Sequence, residues 1–168
     1  MKIFLIGLSG VGKSTLGKQL SDRLEARFID LDAEIEKSEQ NSIDFIFKNK
    51  GENYFRELET KHLKSEKIEF DFVMATGGGT PCFFDNMNWM LQNGVVVYLQ
   101  LPILDLVSRL STSYSRPLLN GTNPDEIELM LENQLKERAG IYSRAHLSID
   151  MRNVKLEEVV SLINWTNK

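Results

Sequence analysis

The stretch Gly7-Leu8-Ser9-Gly10-Val11-Gly12-Lys13-Ser14 decides how this 168-residue chain folds. It satisfies the phosphate-loop pattern G-x-x-x-x-G-K-[ST] at every fixed position. Its flanks have the right character too. The apolar run Ile3-Phe4-Leu5-Ile6 ahead of it predicts a buried strand, and the residues from Ser14 to Leu24 predict a helix with Leu16, Leu20 and Leu24 along one face. Glycines let the backbone curl so that successive N–H groups point at phosphate oxygens, and the helix N-terminus adds its partial positive charge. A nucleoside triphosphate is therefore expected along Gly10, Val11, Gly12, Lys13, Ser14 and Thr15. Lys13 would reach the β- and γ-phosphates, and the Ser14 hydroxyl would ligate Mg²⁺.

Working outward, short apolar runs alternate with helical patterns. The strand candidates are Lys2–Ile6, Arg27–Ile29, Phe72–Ala75, Val95–Leu99 and His146–Ile149. The helical stretches are Lys13–Glu25, Asp32–Ser38, Ser42–Glu66 with at least one break, Phe83–Gln92, Ile103–Ser111, Asp125–Ala139 and Leu156–Trp165. Parallel strands joined by helices predict a doubly wound α/β fold in a single domain. A polar segment punctuated by Gly and Pro, about 111–124, separates two of the helices and carries Arg116. Its length and its arginine predict a lid over the reaction centre.

Bulk properties exclude several classes. A net charge of −4 gives no reason to expect nucleic acid or an anionic membrane as partner. No apolar run approaches the roughly 20 residues of a membrane span, and the first strand is too short for a secretory h-region. One cysteine, Cys82, permits no intramolecular disulfide and fits a reducing cytoplasm; an ordinary half-buried thiol is expected there. His62 and His146 lie too far apart, with no cysteine beside them, to suggest a histidine-based metal site. A monomer is expected, with Trp165 packing the final helix onto the sheet.

Ligands of such a sheet bind beyond the carboxyl ends of its strands. After the second strand come Asp30-Leu31-Asp32, which fit either a helix cap or the carboxylates of a phosphoryl-transfer site. After the third come Thr76-Gly77-Gly78-Gly79-Thr80-Pro81, either a loose turn or a backbone cradle for a ligand. Glu52, Arg56 and Glu59 share a helical face, so both acids can hold the guanidinium; a solvated charged face and a preorganised carboxylate receptor both fit that spacing. Arg138, near a helix end, reads equally as a residue complementing the helix dipole.

Taken together, the phosphate loop with Thr15, Asp30-x-Asp32, Phe55-Arg56-x-x-Glu59, Gly77-Gly78-Gly79, Arg116-Pro117-Leu118-Leu119 and Arg138-x-x-x-Tyr142 resemble the shikimate kinases along nearly the whole chain. The resemblance implies a fold like the nucleoside monophosphate kinases, with a five-stranded parallel sheet in the order 2-3-1-4-5. It also implies transfer of the ATP γ-phosphoryl to the 3-hydroxyl of shikimate, on the route to chorismate and the aromatic amino acids. Carried over by motif, Lys13, Asp32 and Arg116 would be the catalytic residues. Ser14 and, through water, Asp30 would hold Mg²⁺. Asp32 would orient or deprotonate the nucleophile, Arg56 and Arg138 would grip the carboxylate, and Glu59 would brace Arg56. Gly77, Gly78 and Gly79 would border the substrate, with N–H groups of the last two donating to it. Phe47 and Phe55 would wall its ring, Arg109 would lie against adenine, and Arg116 would stabilise charge on the transferring group. The shikimate-binding helical segment would span about 32–60.

One departure is local. Met151-Arg152-Asn153-Val154 lacks the proline expected of the adenine-contact loop, which leaves adenine contacts there unassigned. A gluconate kinase of similar fold would share the phosphate loop but not Phe-Arg-x-x-Glu, the triple glycine and Arg-Pro-Leu-Leu together. A non-catalytic nucleotide-binding module would show a degenerate site, whereas Lys13, Ser14, both aspartates and the three arginines Arg56, Arg116 and Arg138 are present.

Overall fold

The computed structural model describes residues 1–65, 70–111 and 123–166. In chain order the elements begin β1 (Lys2–Ile6), α1 (Lys13–Arg23), β2 (Arg27–Asp30), α2 (Leu31–Glu39), α3 (Ile43–Leu63) and β3 (Phe72–Ala75). After a single 3₁₀ turn at Thr80–Cys82 come α4 (Asn86–Asn93), β4 (Val95–Gln100), α5 (Ile103–Ser111), α6 (Pro124–Tyr142), β5 (Leu147–Asp150) and α7 (Leu156–Thr166). The strands form one parallel sheet in the order β2-β3-β1-β4-β5, as the family resemblance implied.

Position in the sheet follows from composition. β1, β3 and β4 are near-continuous apolar runs and lie in the middle, buried on both faces. β1 pairs with β3 from Lys2↔Phe72 to Leu5↔Ala75, and with β4 from Ile3↔Val95 to Ile6↔Tyr98. The mixed sequences of β2 (RFID) and β5 (LSID) take the two edges, where solvent reaches one side. At the centre of the core, the Phe4 ring meets Phe72 edge-on at 5.5 Å and Trp89 at 5.9 Å. This order puts the ends of β1, β2 and β3 side by side, so the loops that follow them share one edge of the sheet.

The break expected in the long helix falls at Gly51, whose non-helical φ of 81° and ψ of 169° divide α3 into two helical segments across a kink. Other boundaries moved for identifiable reasons. β2 and β4 each run one residue past their apolar stretch, because ladder pairing continues through Asp30↔Ala75 and Gln100↔Asp150. β5 starts at Leu147 because the His146 ring, through Nδ1, accepts the Val96 N–H at 3.0 Å. The helix expected at Phe83–Gln92 starts only at Asn86, after Phe83 in extended backbone and Phe84 at φ 50°. Trp165 does not pack onto the sheet: it is 75% exposed. The buried stripe of α7 is Val159, Val160 and Ile163, and a residue two places after Ile163 points some 200° away from it. Cys82 is a half-buried free thiol, pushed up in pKa by burial. Among the described residues, no helix is long and apolar enough to cross a membrane. Arg116-Pro117-Leu118-Leu119 and most of the segment about 111–124 lie outside the described residues.

Candidate active site

The phosphate loop leaves β1 and turns into α1, with Gly12 as the N-cap at φ 105°. That left-handed conformation aims the first N–H groups of the helix outward, and a side chain there would strain it. Lys13 arches back across the loop, its Nζ donating to the carbonyls of Gly7 at 2.8 Å and Leu8 at 2.9 Å. Val11 is buried by its side chain and offers only backbone; its carbonyl accepts from Arg109 Nη1 at 3.4 Å. Arg109 thus reaches from α5 to the start of α1, and a methyl added at Gly12 would lie 3.8 Å from its Nη1 and 3.4 Å from the Met151 Cε. Ser14 and Thr15 are exposed on the first turn of α1.

Asp30 caps α2, one of the two roles its sequence context allowed, and also meets Ser14. Its Oδ1 accepts the Ala33 N–H at 3.4 Å, capping α2, while its Oδ2 accepts from the Ser14 hydroxyl at 2.7 Å. A hydroxyl and a carboxylate paired at the strand ends form a hard-oxygen donor set, the type that takes Mg²⁺ with water and phosphate filling the remaining positions. Asp32 follows in the first turn of α2 and reaches the glycine run, since a methyl at Gly77 would stand 3.1 Å from its Oδ1.

The glycine run is where the two halves of the site meet. A methyl added at Gly78 would come within 3.4 Å of both the Gly7 carbonyl and Arg138 Nη1, and 3.6 Å from the Ser9 N–H nitrogen. At Gly79 it would lie 2.6 Å from Arg56 Nη1, and at Gly77 it would overlap Glu59 Oε1. A side chain at Gly77 or Gly79 would displace the buried Glu59 carboxylate or the Arg56 guanidinium, whereas at Gly78 a methyl would just touch the phosphate loop and Arg138. A cleft of about 540 Å³ runs from the phosphate loop past Asp30 and Asp32 to Gly78, lined by residues that include Ser9, Gly12, Lys13, Ser14, Glu36 and Arg109.

Arg56 is almost fully buried. Its Nε and Nη2 donate to Glu52 Oε1 at 3.1 and 2.8 Å, and its Nη1 to Glu59 Oε2 at 2.7 Å. Burial opposes its charge, but the attraction and hydrogen bonds of Glu59 and Glu52 outweigh that and raise its pKa. Glu59 is fully buried, and burial pushes its carboxyl up against the opposing pull of Arg56 and Thr80. The Phe47 and Phe55 rings lie 4.7 Å apart, with the Arg56 guanidinium 5.9 and 5.4 Å from their centroids. Arg138, on α6, donates to Gln134 Oε1 at 3.4 Å and also interacts with the Tyr142 hydroxyl. One turn on, the buried Tyr142 hydroxyl donates to the Gly78 carbonyl; burial pushes its pKa up to about 12.

The structure therefore gathers every expected residue within the described part of the chain at one edge of the sheet. Arg116 lies outside it. Sequence reading gave no role to four residues of this neighbourhood. Thr80 donates its hydroxyl to Glu59 Oε1, and the Phe83 ring covers Arg56 at 4.2 Å. Glu36 lines the cleft while accepting the first N–H of α3, and Tyr142 carried no assigned role. Thr80, directly after the glycine run, and Tyr142, closing the Arg138-x-x-x-Tyr142 motif, had a local signal; Phe83 and Glu36 depend on contacts between distant segments.

Comparison with known proteins agrees with this arrangement. The family model described as shikimate kinase matches residues 9–165. A curated relative, the shikimate kinase of Parabacteroides distasonis, is 37% identical over 161 residues, covering 95% of this chain and 92% of its own. The crystal structure of shikimate kinase from Bacteroides thetaiotaomicron superposes with a TM-score of 0.88 at 35% identity, covering 98% of this chain and 95% of that one. A shikimate kinase from Acinetobacter baumannii, solved in complex with shikimate, gives 0.87 at 35% identity over 99% and 94% of the two chains. With the phosphate loop, the Asp30–Asp32 pair and the guanidinium-flanked glycine run on one scaffold, this chain belongs to the shikimate kinase family.

Proposed function

We propose that the cleft transfers the γ-phosphoryl group of ATP to the 3-hydroxyl of shikimate, a step toward chorismate and the aromatic amino acids. The carrying observation is the position of Gly78, packed against Gly7 and Ser9 of the phosphate loop on one side and Arg138 on the other. A nucleotide seated on the loop and a carboxylate held by the arginines then face each other across the glycine run.

Each residue's part follows from its chemistry. The N–H groups of Gly10 to Thr15 and the Lys13 ammonium cradle the phosphates, and Arg109 lies against the base. Arg56 and Arg138 hold the shikimate carboxylate, and the N–H groups of Gly78 and Gly79 add donors. Phe47 and Phe55 wall the ring. Asp32 accepts the proton of the 3-hydroxyl as that oxygen bonds to the γ-phosphorus and ADP departs. Arg116 meets the charge spread over the transferring oxygens. Ser14, and Asp30 through water, would hold Mg²⁺, which would supply neutralisation of the phosphate charge. Little covalent help is needed, so the rate rests on positioning and electrostatics.

We further propose that the chain acts as a cytoplasmic monomer of one domain, with its shikimate-binding helical segment at about 32–60 and its lid at about 111–124. The test is ADP release with Mg·ATP and shikimate, beside gluconate and no acceptor as controls. Release that depends on shikimate alone is expected. Release independent of shikimate would overturn the assignment of the pocket.

A further inference from the structure

Arg56 is gripped by more than its two carboxylates, and the additional contacts come from the segment directly after the glycine run. Its three hydrogen bonds to Glu52 and Glu59 leave one N–H on each terminal nitrogen, enough for two bonds to a carboxylate. The face of the guanidinium is covered by Phe83, whose centroid at 4.2 Å is nearer than that of Phe55 or Phe47. Behind it, buried Glu59 divides its oxygens: Oε2 takes Arg56, and Oε1 takes the hydroxyl of the fully buried Thr80.

The chain is shaped locally to deliver these two groups. Thr80 opens the 3₁₀ turn immediately after Gly79, and the buried Asn86 side chain donates to the Thr80 carbonyl at 2.9 Å. Phe83 leaves that turn in extended backbone, and Phe84 then takes φ 50° with its own side chain 67% exposed. A left-handed bulky residue at a solvent-facing position marks a turn imposed by its neighbours. The neighbour that gains is Phe83.

We infer that Thr80 and Phe83 are positioning residues for the substrate carboxylate, holding the Arg56 guanidinium in its receiving orientation before substrate arrives. The inference rests on the shikimate-kinase reading of the cleft. An arginine stem is long and flexible, so a fork fixed in advance spares the ordering cost at binding. Loss of the Thr80 hydroxyl would leave a buried carboxylate oxygen without its donor and let Glu59 rotate away from Arg56. Loss of the Phe83 ring would uncover the guanidinium face to water and to rotation.

The test is steady-state kinetics on Thr80→Val, Phe83→Leu, Thr80→Ser and Phe84→Ala, each checked for its melting temperature. Shikimate and its methyl ester serve as alternative acceptors. For Thr80→Val and Phe83→Leu, KM for shikimate should rise about tenfold while kcat and KM for ATP stay within about twofold, the scale of one weakened charge-assisted contact. Their preference for the acid over the ester should shrink by a similar factor. Thr80→Ser, which keeps the hydroxyl, and Phe84→Ala, which removes only an exposed ring, should match the parent. An unchanged acid-to-ester preference, or a parallel loss in kcat and both KM values, would overturn the inference while leaving the function intact. A parent protein that does not phosphorylate shikimate would overturn the functional reading, and this inference with it.

Discussion

Arg56 shows how much structure one functional side chain requires. A guanidinium that is to bind an anion must be desolvated enough to prefer it over water, yet remain charged. Glu52 and Glu59 keep the charge on Arg56 favourable inside the protein, and three aromatic rings keep water from its faces. The role proposed for Arg116 is different, meeting charge that exists only as the phosphoryl group moves. The two arginines should therefore separate kinetically. Arg56→Ala is expected to raise KM for shikimate at least tenfold with a smaller effect on kcat, whereas Arg116→Ala should lower kcat by a factor on the order of 10³. Initial-rate measurements over both substrates make the comparison, and equal losses of kcat with unchanged KM values in both variants would contradict the division of roles.

At the scale of elements, Asp30 couples two helices: one oxygen caps α2 and the other meets Ser14 on α1. Asparagine caps a helix about as well as aspartate but lacks the negative charge. Asp30→Asn should hold stability within about 0.5 kcal/mol while raising the Mg²⁺ concentration needed for half-maximal rate; Asp30→Ala should lose about 1 kcal/mol as well. Urea unfolding and Mg²⁺ titration of the rate separate the two effects, and a normal Mg²⁺ requirement in Asp30→Asn would assign Asp30 to capping alone. The same pair shows what was legible in sequence. Asp30-x-Asp32 announced itself by spacing, but whether cap or chemistry prevailed depended on where Ser14 stood, which only the packing of α1 beside β2 decides. β1 and β3 were legible to the residue because central parallel strands are apolar throughout. The start of α4 was not, since Thr80–Phe84 is shaped by contacts with Glu59 and Arg56, some two dozen residues earlier in the chain.

Across the whole molecule, the strand order brings three loops to one edge, and the glycine run closes the space between phosphate loop and arginines. Tyr142 fastens that run from α6, buried and donating to the Gly78 carbonyl. Because burial pushes its pKa from 10 up to about 12, the unfolded chain ionises first. Its contribution is complete below pH 10 and is lost as pH rises toward 12, by up to about 3 kcal/mol. Unfolding free energies over that interval should fall less steeply in Tyr142→Phe than in the parent; equal slopes would show that Tyr142 is not the group responsible. The motifs made this architecture legible because phosphate binding fixes residue types at fixed spacings. Trp165 was misplaced because a lone aromatic carries no phase information about its helix. The central claim concerns where the phosphoryl group goes, and NMR of a reaction containing protein, Mg·ATP and shikimate reads that directly. One phosphate monoester coupled to the proton at carbon 3 of shikimate, formed in step with ADP, is predicted. Inorganic phosphate alone, or an ester on another hydroxyl, would contradict the account.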